Sequence, residues 1–322
     1  MRNTILSLLA ICLFTLSCSS PKPAAKAQPA QDLRFDRTFW SHWGDGMAEV
    51  AGYDLSYPRY GEIRPGVAVT IFVTETFSDS ARVKADPGKH PPLDEFPVMK
   101  MNLIRDFQTG IYDYNTMLSS FVSLTATGGK PAGSATKLTF SSQEWCGQVW
   151  QQVLFGLRSA KFTMHSYFDG EADGQREIPY PKEGVSEDAL MLWARGMARP
   201  ELQPGESRMV QTLLAMQESR ESHRQPAWLR TTLSRSAVSQ TVTVPAGAFE
   251  VEAWTAERED GLKRTFFVEK AFPHRIVRWE TSAGEQAELL GAARLKYWRL
   301  NGKGGEQALK MLGLAPRPSR ST

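Results

Sequence analysis

Gly66-Val67-Ala68-Val69-Thr70-Ile71-Phe72-Val73-Thr74 is the stretch that decides the fold. Val67, Val69, Ile71 and Val73 fall on every second residue and share one face of an extended chain, while Ala68, Thr70 and Thr74 lie on the other. A period of two with β-branched side chains is a strand signal. The same period recurs outward along the chain. Phe162, Met164 and Phe168 alternate with Lys161, Thr163, His165 and Tyr167. Phe249, Val251 and Ala253 alternate with Glu250 and Glu252, and Ala287, Leu289, Ala293 and Leu295 continue the theme around Gly291, a predicted bulge or bend.

Turn chemistry agrees. Val244-Pro245-Ala246-Gly247 places Pro second and Gly fourth, as a type I turn prefers, and Asp260-Gly261 between strand-like runs predicts a hairpin. Residues 236–300 therefore read as a β-meander. Helix signals are few: Ser186-Glu187-Asp188 as a cap with an acidic first turn, ending at Gly196, and Gly305 to Leu312, stopped by Gly313 and Pro316. Gln148 to Leu157 carries both periods; its aromatics and flanking strands decide for a hairpin. The expected class is mainly β (a β-rich α+β chain) of antiparallel curved sheets or half-barrels with few short helices.

The chain is 322 residues long, and its first eighteen have a separate logic. A basic head, Arg2, precedes an apolar run from Ile5 to Leu16, and Ser17 precedes Cys18. That is a secretory signal layout. The run is too short for a bilayer, whose crossing takes about 20 apolar residues. Phe14-Thr15-Leu16-Ser17-Cys18 resembles a lipobox, which implies lipidation of Cys18, and Ser19 after it implies sorting to the outer membrane. Expected boundaries are a signal peptide at 1–17, a lipidated cysteine and tether at 18–38, a first β region at 39–178, a linker and helix at 179–200, a second β region at 201–302, and a short helix and tail at 303–322.

Loss of Arg2 with the signal leaves 37 basic against 35 acidic residues and no dense basic run, so no nucleic-acid partner is expected. Of three cysteines, Cys12 leaves with the signal and Cys18 takes lipid, so Cys146 stands alone and the fold must rest on its core without a disulfide.

Two resemblances follow. Phe39-Trp40, Gly44-Asp45-Gly46-Met47-Ala48-Glu49, Tyr60-Gly61-Glu62, Phe72-Val73-Thr74-Glu75, Phe107-Gln108-Thr109-Gly110-Ile111-Tyr112, Gln143-Glu144-Trp145-Cys146-Gly147 and the segment from His165 to Asp173 resemble an uncharacterised family of bacterial lipoproteins. Some of its members carry the label septum formation inhibitor Maf. Maf proteins are cytoplasmic α/β nucleotide pyrophosphatases, and a lipidated, strand-rich chain is physically inconsistent with that activity. The segments from Val244 to Phe249 and Pro273 to Val277 resemble the lipoprotein-carrier type of curved β-sheet, which implies a sheet wrapped partway round an apolar ligand.

Candidate chemistry is sparse. Cys146 with His165 and a carboxylate (Glu144, Glu171 or Asp173) could form a thiol nucleophile, base and orienter, but a free cysteine is more often buried and inert. His165, Asp169, Glu171 and Asp173 read as a solvated hairpin tip; no metal and no cofactor is expected. Nine tryptophans remain, and Trp145, Trp150 and Tyr167 are the choice for a ligand groove. The expected function is an envelope lipoprotein on the periplasmic face of the outer membrane, held there by its N-terminal lipid. It would bind an apolar or amphipathic ligand or an envelope partner without catalysis; the alternative is a thiol-dependent envelope enzyme using Cys146 and His165.

Overall fold

The computed structural model describes residues 35–171 and 173–317. The signal, Cys18 and most of the tether lie outside them. Helix α1 (Arg37–Trp43) leads into eight strands: β1 (Ala48–Arg59), β2 (Glu62–Ser78), β3 (Glu95–Thr109), β4 (Tyr112–Ser123), β5 (Ala135–Glu144), β6 (Gly147–Phe155), β7 (Ser159–Ser166) and β8 (Gly174–Pro179). After the short β9 (Val185–Ser186) come α2 (Leu190–Ala194), β10 (Ser207–Leu213), α3 (Met216–Ser222), β11 (Trp228–Val244), β12 (Gly247–Arg258), β13 (Lys263–Glu269), β14 (Ile276–Thr281) and β15 (Gln286–Leu295).

All fifteen strands form one sheet in the order β8-β7-β6-β5-β4-β3-β2-β1-β15-β14-β13-β12-β11-β10-β9. Every pairing is antiparallel except β9 with β10. The two sequence-terminal strands thus pair in the middle, and the two edges, β8 and β9, are neighbours in sequence. Flat, fourteen strand spacings would separate those edges by about 67 Å. The chain from Pro179 to Val185 spans at most about 23 Å. The sheet must therefore curl through most of a circle, leaving an unclosed barrel with a lumen.

The lumen is filled from within. All five residues of α2 are buried, as expected of a helix that is apolar all round. Trp193 packs edge-on against Trp254 at 5.1 Å and donates its indole N–H to the Pro200 carbonyl at 3.0 Å. Beside it, Arg195 meets Glu49 at 2.6 Å and lies over the Phe72 ring at 4.2 Å.

The founding strand packs on both faces, and its valine face is not the lumen face. Ala68, Thr70 and Phe72 point into the lumen core, whereas Ile71 and Val73 point outward beneath Leu309, Leu312 and Leu314 of the C-terminal segment. That segment forms as a 3₁₀ helix over Gly305–Leu312. It rests on a saddle of two facing glycines, Gly52 and Gly291. A Cβ on Gly52 would stand 2.4 Å from the Leu312 carbonyl oxygen, and one on Gly291 2.6 Å from that of Met311. The β1–β15 register shifts beside them, between Gly52 and Tyr53.

The helix expected after Ser186 forms as a 3₁₀ turn (Glu187–Ala189) running into α2, with the Ser186 hydroxyl accepting from the Asp188 amide. Gln148 to Leu157 takes in all of β6 but its first residue, and β6 is hairpin-paired with β5 from Glu144↔Gly147 onward.

Candidate functional site

One end of the lumen keeps a cavity of about 570 Å³. Its wall is apolar where Met101, Leu103, Leu118, Phe140, Met191 and Phe266 converge, and its mouth carries seven carboxyl groups and four guanidiniums. Strand alternation puts the charges there. Met101 and Leu103 face inward, so Arg105 does too; Trp254 and Ala256 face inward, and Arg258 extends that row. Arg264 lies opposite Ala256, two residues before the buried Phe266.

The partners come from the plug. Glu187 and Asp188 open the turn before α2, and Gln217, Glu218 and Glu221 lie on α3. Arg258 reaches Glu187 at 3.2 Å, Glu218 at 2.7 Å and Asp260 at 2.7 Å. Arg264 reaches Glu187 at 2.8 Å and Glu218 at 3.0 Å. Arg105 pairs with Glu285 at 2.7 Å and donates to the Gln217 amide oxygen at 2.9 Å. The Tyr57 hydroxyl donates to Glu221 at 2.8 Å and accepts from Gln217 at 2.5 Å. Burial opposes ionisation of Glu218, but Arg258 and Arg264 outweigh it and hold its carboxyl below the ordinary range.

Two carboxyls differ. Asp188 accepts from the Met216 amide at 3.0 Å and has no ion pair, and burial pushes it up to about 7. Among the described residues Glu221 accepts only from Tyr57 and Gln217, and burial raises it too. The mouth therefore has each guanidinium engaged and, among the described residues, two desolvated carboxyls without an ion pair.

None of these residues is a site candidate from sequence. The signal was present: Arg105 sits in register with Met101, Leu103 and Phe107, and Arg258 with Trp254 and Ala256, so each is a charge in an apolar row. Glu187 and Asp188 read as the acidic first turn of a helix, and both are buried, because the turn lies inside the barrel.

The residues chosen from sequence lie elsewhere. Trp145, Trp150 and Tyr167 do come together, with His165 and Asp173, but on the outer face of β5–β7 and its hairpin tips, outside the lumen. Cys146 is exposed, against the expectation of burial, because it occupies the two-residue turn between the paired Glu144 and Gly147. A hydrogen bond to Glu144 and that carboxylate's charge push the thiol up, the reverse of what a thiolate nucleophile needs. His165 bonds Asp173 at 2.9 Å, and Glu171 is taken by Ser166 and His223. Among the described residues no hydrogen bond joins Cys146 to His165, and no three His, Cys, Asp or Glu side chains gather as metal ligands. No helix among them is long and apolar enough to cross a membrane.

No family model and no curated protein matches the chain. Among solved structures it is similar to a beta-barrel-like protein of Domain of Unknown Function DUF1849 from Brucella abortus, with 10% identity over 78% of this chain and 99% of that one and a TM-score of 0.44.

Proposed function

We propose that the protein is a non-enzymatic envelope lipoprotein, of the family and carrier-like kind its sequence resembles, whose unclosed barrel holds an amphipathic ligand. The observation that carries this reading is the cavity of about 570 Å³, within the usual size of small-molecule sites, lined by one cluster of apolar side chains and one ion-paired set of charges. The ligand's apolar part would lie on the wall of Met101, Leu118 and Phe140. Its head would be neutral or cationic, because every guanidinium at the mouth is engaged while Asp188 and Glu221 have no ion pair among the described residues. Attachment is through lipid on Cys18, at the periplasmic face of the outer membrane.

The test is extraction. Protein purified without detergent is denatured in organic solvent and the extract examined by mass spectrometry. A stoichiometric amphiphile is the expected result; a clean extract, together with no binding of an added amphiphile, ends the reading. Cys18→Ser is expected to move the protein from the membrane to the soluble fraction.

A further inference from the structure

The outer face of β5–β7 carries a second site whose chemistry differs from the lumen's. It is an open groove of about 760 Å³ near the hairpin tips. Three rings border it, and each is held by a neighbour. Trp150 lies 5.6 Å from the His165 ring, which Asp173 fixes through a 2.9 Å bond to Nδ1. Trp145 leans on Tyr112 at 6.2 Å. Tyr167 lies on Gly147, where a Cβ would stand 2.5 Å from the ring.

Between the rings the floor is polar. Gln143 and Gln148 face each other across β5 and β6, and neither side-chain amide has a hydrogen-bond partner among the described residues. Ser141 lies opposite Trp150 in the next row. Val149 is the only aliphatic residue in the lining, so a hydrocarbon chain would find little to bury against. Glu144 and Asp173 add negative charge, and His165, already bonded to Asp173, is the only basic residue in the lining, so an anionic ligand would be repelled.

We propose that this groove binds a neutral glycan. A sugar ring presents a C–H face and a rim of hydroxyls. Exposed indole and phenol rings suit the first. Planar amides that both donate and accept suit the second. The groove is open, so a chain can run through it. The site is separate from the lumen and stands whether or not the lumen reading holds.

The test uses the purified full chain carrying Cys18→Ser, titrated with chitohexaose, cellohexaose and maltohexaose and followed by tryptophan fluorescence. At least one is expected to bind with a Kd below about 10 mM, and Trp150→Ala or the double variant Gln143→Ala, Gln148→Ala to weaken it at least about tenfold. Gly147→Ala, which removes no ring but displaces Tyr167, is expected to weaken it too. These positions are at the surface, so circular dichroism should not change. N-phenylnaphthylamine held in the lumen should stay bound as sugar is added. Failure of all three hexasaccharides to bind would overturn the proposal. So would unchanged affinity in Trp150→Ala, displacement of the lumen probe by sugar, or quenching by dodecylphosphocholine micelles in place of sugar.

Discussion

The barrel buries two sets of charges, and they are built differently. Near α2, Arg195 meets Glu49 in a two-pronged pair, with one arm also donating to the Pro273 carbonyl at 2.9 Å, pressed between the Phe72 and Trp43 rings. At the other end Arg258, Arg264, Glu187 and Glu218 form a branched network beside a cavity. In the first, two charges complete each other and leave no room. In the second, each group has more than one partner, and Asp188 has no ion pair among the described residues. The closed pair reads as structure, and the open network as a place where a ligand can enter.

Breaking the closed pair should cost most. Arg195→Met leaves Glu49 buried without its partner, and the expected loss is about 3–5 kcal/mol of unfolding free energy, read by urea denaturation. Arg264→Met at the mouth should cost far less, about 1 kcal/mol, because Arg258 still neutralises Glu187 and Glu218. Equal costs at the two positions would erase the distinction.

The outer seam gives the next effect. Gly291→Val drives a side chain into the Met311 carbonyl, and a loss of about 1–3 kcal/mol is expected. Amide exchange should rise across residues 305–314 and not in α2. Exchange rising everywhere would mean that the C-terminal segment is integral to the barrel rather than laid upon it.

The pH dependence tests the mouth through one variant. Asp188 has a folded value of about 7, above its unfolded value of about 3.9, so the folded state binds the proton more tightly. Its contribution to stability is then present in full below about pH 4 and is lost as pH rises through 7. Asp188→Asn should flatten the slope between those limits, measured as thermal midpoint against pH. A slope unchanged in the variant would show that Asp188 is not the group responsible. The smallest effect is at the β5–β6 tip. Cys146 should react with maleimide in the native state, and Glu144→Gln should speed that reaction at neutral pH by lowering the thiol.

The strands were legible because alternation is local: β2, β7 and β15 each announce themselves over seven or eight residues, and the turns at Pro245 and Gly261 fix the two ends of β12. Which face is inward was not. Val67 to Val73 is the more apolar side of β2, yet the lumen takes Ala68, Thr70 and Phe72, since α2 and its tryptophan already fill that space and the C-terminal segment needs a surface to cover. The direct link between the edge strands was readable only afterwards, because Tyr180 to Gly184 gives no sign that it limits a fifteen-stranded sheet. The charged mouth was missed because its members come from β3, β12, β13, the 187–189 turn and α3. In sequence each is one charge in an ordinary row. Trp145, Trp150 and Tyr167 were legible as neighbours, being on adjacent hairpins, but not as outward-facing.

The central claim is that the lumen, and not the outer face, takes the amphiphile. The direct measurement is titration of the Cys18→Ser chain with N-phenylnaphthylamine, a neutral amphiphile that brightens in apolar surroundings, beside two variants. Ala283→Trp places a large ring on an exposed turn at the cavity mouth, and Trp150→Ala strips the outer groove. Saturable brightening that falls at least about tenfold in affinity with Ala283→Trp and is unchanged in Trp150→Ala is the predicted result. Brightening that ignores Ala283→Trp, or disappears with Trp150→Ala, would contradict it.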